Sequence, residues 1–202
     1  MDPARGRTAV YFHAKDDPAE VRWEVFKILA SHPMKFFAVI RDKRGLARDV
    51  QNRNTQSATY HDHPNKLDDE MIKRLFKDRL HKDAAYRVCF ATRGNKDRTN
   101  ALRAALTSAR ANFRKQWGHG SDTPIEVAAV AAAASAGLRA VDYFLWALQR
   151  MDTKQEDRHM AFIASSVSLV HDVDDRRKGP AGTYFTREKP ITVAAIKRMP
   201  GI

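Results

Sequence analysis

Short apolar runs alternate with amphipathic stretches along the chain. Residues 9–14, Ala-Val-Tyr-Phe-His-Ala, have the pattern of a strand end. Asp16-Asp17-Pro18 opens a helix, with acids beside the N-terminal dipole and proline in the first turn, where its missing N–H breaks no intrahelical bond. Val21, Val25, Ile28 and Leu29 carry that helix to about Ser31, and Lys35–Arg41 follows as a buried strand closed by Lys43-Arg44-Gly45. Residues 44–66, rich in Arg, Asn, Gln and His and without periodicity, are expected to form a long loop; such loops in compact domains tend to be functional or mobile. A helix over 68–80 comes next, with Asp68, Asp69 and Glu70 expected in its first turn.

Tyr86–Ala91 is a second strand, Arg93–Asp97 a turn, and Arg98–Trp117 a helix that turns Leu102, Leu106, Ala109 and Phe113 inward. Pro124–Val130 is a third strand, and the alanine-rich stretch to Ala136 stays open between strand end and helix. Gly137–Arg150 is a strong helix, and residues 155–170 are expected to form another. Charge runs with Gly179-Pro180, Gly182 and Pro200-Gly201 make 172–202 a mostly irregular tail. The alternation predicts one α/β domain over residues 1–202, with its core in 9–171 and helices crossing between strands.

The length suffices to bury a core, and no apolar run approaches the roughly 20 residues of a membrane span. The polar start Met1-Asp2-Pro3-Ala4-Arg5 has no hydrophobic signal core after it, so a cytoplasmic location is expected. The single cysteine, Cys89, rules out an internal disulfide and a multi-cysteine metal site, and its apolar setting is that of an inert thiol. A net charge of +12, from 36 Lys+Arg against 24 Asp+Glu, favours polyanionic partners. No phosphate loop, dinucleotide fingerprint, serine elbow or His-Glu-x-x-His motif is present, which leaves ATP hydrolysis, dinucleotide redox chemistry and serine hydrolysis without support.

Candidate chemistry centres on Asp142. Leu138, Val141, Leu145 and Leu148 mark the expected apolar face of its helix, and Asp142 lies on or beside it. A carboxylate there needs a partner or a cation. Two readings stay open: an ion pair with Arg139 one turn back, or a metal-ligating or acid/base carboxylate at a sheet edge. Glu126, Asp97 and Asp42 are possible companions. Each also has a structural reading, as an exposed strand position, a helix-start acid and a turn residue respectively. His61, Asp62 and His63 form either a metal-binding trio or an incidental polar loop, and Asp172, Asp174 and Asp175 beside Arg176, Arg177 and Lys178 have the pattern of a solvated charge run. Arg93, Lys96 and Arg98 surround the turn before the 98–117 helix. Along that helix Arg103, Arg110 and Arg114, at offsets of 7 and 11, share one face, either simply solvated or in contact with phosphates.

Several segments together resemble the bacterial family catalogued as domain of unknown function 3800, whose members look like ribonuclease H-like proteins. They are Tyr11-Phe-His-Ala-Lys-Asp-Asp-Pro18, Lys73-Arg-Leu-Phe76, Phe90-Ala-Thr-Arg-Gly-Asn-Lys-Asp-Arg-Thr99 and Gly137-Leu-Arg-Ala-Val-Asp-Tyr143, continuing through Trp146-Ala147-Leu148. The resemblance covers roughly residues 10–200 and implies a ribonuclease H-like mixed sheet flanked by helices. It further implies a metal-dependent nuclease acting on DNA or RNA, with Asp142 as ligand of Mg²⁺ or Mn²⁺; Glu126 and Asp97, by their own positions, are the candidate catalytic carboxylates that substitute for the family's other ligands. In such sites the ions activate water and stabilise the leaving oxygen of a phosphodiester. The family pattern also has an Asp-Glu pair on its first strand and Gln-x-x-Asp on the late helix. Here Arg139 stands at the glutamine's place, and no Asp-Glu strand precedes residue 10. The expected fold is therefore N-terminally truncated, which three accounts explain: a start at an internal methionine, an inactive relative that keeps polyanion binding, or a strand supplied by another chain, such as a second copy in a homodimer, at an exposed sheet edge. The alternative function is a non-catalytic nucleic-acid-binding or protein-interaction module.

Overall fold

Helix and strand patterns alternate along the chain, and the computed structural model, which describes residues 12–56, 64–92, 98–120 and 122–196, is accordingly a mixed α/β protein. Its first half runs α1 (Ala19–Ser31), β1 (Phe36–Ile40), α2 (Lys43–Gln56), α3 (Pro64–Phe76), β2 (Tyr86–Ala91) and α4 (Thr99–Trp117). Then come β3 (Ile125–Val130), α5 (Ala136–Lys154), α6 (Arg158–Phe162), β4 (Val167–Asp172) and β5 (Thr183–Phe185), with 3-10 turns at 132–134, 164–166 and 176–178. The chain divides into two compact units: Met1–Phe36 with Val130–Ser168 and Thr186–Ile202, and Phe37–Ala129 with Leu169–Phe185. Among the described residues, no helix is long and apolar enough to cross a membrane.

The first unit is helical. Where a strand end is expected at 9–14, the described residues form a turn, closed by the N–H groups of Asp16 and Asp17 on the His13 carbonyl (3.0 Å each); residues 9–11 lie outside the described residues. Pro18 is extended and α1 begins after it; at the other end Pro33 holds His32 extended, and the helix stops at Ser31. α5 is capped by Ser135, whose Oγ accepts the Leu138 N–H at 3.3 Å, and it ends on Gln155 in the left-handed region. It buries Tyr143, Phe144, Ala147, Leu148 and Met151. The expected stripe through Val141 and Leu145 is therefore corrected, because those residues are 43% and 50% exposed. Aromatic area decides the rotation: Phe144 stacks on Phe36 at 4.7 Å, and Tyr143 meets the fully buried Phe26 edge-on at 5.6 Å. The helix expected over 155–170 is also corrected. Only α6 forms, and the β-branched Val167 and Val170 enter β4.

α6 delivers His159 into an aromatic setting, 2% exposed, stacked on Trp23 at 4.9 Å and edge-on to Trp146 at 4.9 Å. Its Nδ1 has no hydrogen-bond partner. Burial pushes the imidazole down to about 4, helped by the nearby charges of Arg158 and Arg22.

The second unit holds two sheets. One has the order β1-β4-β5, with β4 and β5 antiparallel in the register Val170↔Phe185, His171↔Tyr184 and Asp172↔Thr183. The other pairs β2 with β3; Leu102, Leu106 and Ala109 of α4 and the partly buried Ile72 and Phe76 of α3 pack with Val127, Val88 and Ile125 of that sheet. Residues 43–56, expected to be loop, are the helix α2. Asp42 caps it, its Oδ2 accepting the Gly45 N–H (3.2 Å) and its carbonyl the Leu46 N–H (3.0 Å). Residues 57–63, with His61, Asp62 and His63, lie outside the described residues. α3 starts at Pro64, not near 68, because proline suits the first turn. The acids expected in that turn are instead paired: Asp68 and Asp69 with Arg98 (2.7 and 2.6 Å), and Glu70 with Arg74 (3.0 Å).

The described residues after 171 are mostly irregular apart from the end of β4, β5 and the 176–178 turn, but the solvated charge run expected there is corrected for its acids, while Arg176, Arg177 and Lys178 are exposed. Asp172 is 3% exposed, and its Oδ1 accepts the N–H groups of Asp174 (3.1 Å) and Asp175 (3.2 Å), folding the chain back toward β5. Arg177 grips Asp175 through two bonds (2.6 and 2.7 Å) and holds its carboxyl at about 2. Gly182 sits at φ +94, where a Cβ would stand 2.4 Å from the Asp172 carbonyl, so only glycine fits.

His159 sets a pH dependence. Its folded pKa lies below the unfolded value near 6.5, so the unfolded chain takes up the proton first, and stability falls as pH drops from about 6.5 toward 4. The whole effect is on the order of 3 kcal/mol. Urea unfolding of wild type and His159→Phe across this range should show a steeper loss in wild type; parallel curves would remove His159 as the cause.

Candidate functional site

The Ser135 cap fixes the start of α5 and so places Asp142 half-buried two turns into it. Its Oδ2 accepts the N–H of Ala14 at 2.9 Å. The preceding N–H, that of His13, goes to Asp17 Oδ2 at 3.0 Å, and the Tyr143 hydroxyl donates to the same Asp17 oxygen. Arg22 Nη1 donates to the carbonyls of Ala14 (3.0 Å) and Asp17. Two carboxylates and one guanidinium thus satisfy successive backbone groups of the 13–17 turn. Burial, then the bond to Asp17, raises the pKa of the Tyr143 phenol, which stays protonated as the donor. The Arg22 guanidinium lies 4.8 Å above Trp146, and Arg150, forked onto Glu156 at 2.6–2.9 Å, lies 5.7 Å from the same ring.

Arg139 is not the partner of Asp142. It donates to the carbonyl of Ala133, which the 3-10 turn at 132–134 brings within its reach. Among the described residues no three His, Cys, Asp or Glu side chains converge closely enough to hold a metal ion. Glu126 is exposed on β3 and faces Arg87 of β2 at 3.4 Å. Arg98 is bound to Asp68 and Asp69. Arg93, Lys96 and Asp97 lie outside the described residues.

The three stripe arginines are brought together. α4 carries Arg103, Arg110, Arg114 and Lys115 and no Asp or Glu in its 19 residues. Arg103 donates to Asn100 Oδ1 (2.9 Å), Arg110 to the Thr123 carbonyl (2.8 Å) and Arg114 to Asp122 (2.8 Å). Arg103, Thr107 and Arg110 line one wall of a cleft, and Asp122, Thr123 and Pro124, leading into β3, line the other. Sequence reasoning missed the Asp17–Tyr143–Arg22 arrangement. Its signal was the Asp-Asp-Pro helix start, where one acid can turn back to bind backbone N–H groups. It also missed the exposed side of α2, hidden by the absence of an apolar stripe.

Comparison with protein-family models, curated proteins and solved structures finds no match to the chain.

If Asp142 holds the 13–17 turn, Asp142→Ala strands the Ala14 N–H and costs about 1–3 kcal/mol. Asp142→Asn keeps an oxygen acceptor and should cost less than about 1 kcal/mol. Denaturant unfolding of the two variants measures the difference; equal values, both near wild type, would show that the bond does not hold the turn.

Proposed function

We propose that this protein binds nucleic acid through the arginine stripe of α4. The carrying observation is an acid-free, 19-residue helix that aligns Arg103, Arg110 and Arg114 along one face, beside a cleft. The offsets of 7 and 11 residues set these cations about 10 and 16 Å apart along the helix axis, a span that several phosphates of a duplex fall within. Each arginine is held in a way that suits an incoming phosphate. Arg103 leans on a neutral amide, and Arg110 is steadied by a carbonyl. Arg114 is in an exposed ion pair with Asp122, a contact worth little in water and open to exchange for phosphate. The net charge of +12 adds long-range attraction for a polyanion.

Fluorescence anisotropy with a labelled duplex tests this reading. Arg103→Ala should weaken binding roughly 3- to 10-fold and lower the slope of log affinity against log salt by about 1. Asp122→Ala removes a carboxylate that competes with phosphate and should tighten binding. Unchanged affinity and slope in both variants would refute the stripe.

A second reading is hydrolysis of DNA or RNA by a ribonuclease H-like relative of the domain of unknown function 3800 family. It is favoured by Asp142, which stands at the place of that family's late ligand and has no cation partner among the described residues. In this reading Asp142 holds the ion together with phosphate oxygens of the substrate, and any further carboxylate comes from outside the described residues or from a second copy of the chain. Asp142→Asn separates charge from fold: Mn²⁺-dependent cleavage of labelled DNA or RNA should disappear in the variant, and equal rates would end the reading.

A further inference from the structure

We infer that the exposed face of α2 reads base edges in the major groove of duplex DNA, with Arg48, Gln51 and Asn52 as the reading side chains. The inference rests on the nucleic-acid-binding reading above and names its substrate class.

α2 is 14 residues long, about 21 Å. Its half-buried positions include Gly45, Leu46 and Val50, and its exposed ones include Ala47, Arg48, Gln51, Asn52 and Thr55. The latter follow the pattern i, i+1, i+4, i+5, i+8, so they form one continuous face. That face contains no acid and no large apolar side chain. Arg pairs bidentately with guanine O6 and N7, Gln and Asn pair with adenine N6 and N7, and Thr and Ala suit the thymine methyl. A helix polar on its outer side gains nothing there from burial, yet this one is secured at its start. Asp42 caps it, the Asp42 N–H donates to Asp174, and Arg41 lies 3.8 Å from Asp174.

Charge and shape select the partner. Residues 43–56 contain Lys43, Arg44, Arg48 and Arg53 against Asp49, an excess of three positive charges that complements phosphate. A helix about 10–12 Å across fits a B-form major groove about 12 Å wide. The A-form major groove of RNA is too narrow for side chains to read. Single strands are gripped by stacking on aromatic side chains, and α2 has none.

The test uses the full chain and a pool of randomised duplexes. Rounds of selection should converge on a consensus, which anisotropy at about 150 mM salt then compares with a scrambled duplex, an RNA duplex of the same sequence and the single strand. Wild type should prefer the consensus at least roughly 10-fold over each. Arg48→Ala should cut the preference over the scrambled duplex by roughly 5- to 100-fold, and Gln51→Ala and Asn52→Ala should each relax a different position of the consensus. Alanine is a good helix former, so these changes on an exposed face leave α2 intact, which far-UV circular dichroism checks. Arg103→Ala should weaken consensus and scrambled duplexes alike. Salt-dependent binding without a consensus, or equal binding of the RNA duplex, or an unaltered preference in the α2 variants overturns the inference and leaves the α4 stripe standing. Failure to bind any duplex at low salt overturns both.

Discussion

Backbone N–H groups at chain reversals have no partner in a helix or ladder, and each must find an acceptor or lose on the order of 1–3 kcal/mol when buried. In this protein aspartates take up many of them. Asp142 accepts from Ala14, Asp17 from His13, Asp42 from Gly45, Asp172 from Asp174 and Asp175, and Asp174 from Asp42. Within the first unit these bonds fix the turn ahead of α1 to α5. Within the second they fix the exit of β1, the start of α2 and the reversal between β4 and β5. The short aspartate side chain suits the task, because it reaches local backbone donors that a glutamate overshoots.

This use of acids shapes the charge left for partners. Of the cations away from the turns, Arg98, Arg150 and Arg74 are matched by carboxylates. α4, by contrast, has no acid of its own, and the stretch that forms α2 has one against four cations. The excess of +12 therefore lies partly on two helices of the same unit, one with an arginine stripe and one with an amide-rich face. Affinity for phosphate and discrimination among bases are separate physical demands, and these two helices differ in side-chain chemistry along the same division.

Much of the fold was legible because burial writes itself as periodicity. β2, β3, α1 and α4 fall within one or two residues of the expected bounds, and Leu102, Leu106, Ala109 and Phe113 are buried as their spacing requires. What escaped was decided by something other than an apolar period. α2 is set by one capping aspartate and has no stripe to see. The face of α5 is set by the size of Tyr143 and Phe144, which outweigh the regularly spaced Val141 and Leu145. β4 and β5 are joined by a turn that depends on Asp172 and Gly182, in a segment whose charge run hides the strands. At the candidate site, the position of Asp142 near the apolar face was legible. Its contact with Ala14, 128 residues away in sequence, was not, because nothing local to either residue encodes it.

Asp42 joins these strands of reasoning. A helix of 14 residues with a polar outer face is marginal alone, since nucleation fixes several residues before any bond repays it. The cap at Asp42 satisfies an N-terminal donor and nucleates the first turn, and Asp174 holds the backbone of Asp42 itself. Asp174 is in turn placed by its own N–H on Asp172, at the buried end of β4. The orientation of Arg48, Gln51 and Asn52 is therefore inherited from the end of β4 through three aspartates in series. A polar helix presents its side chains in the direction that its start sets, and here that start is held by the same acceptor chemistry that folds the turns.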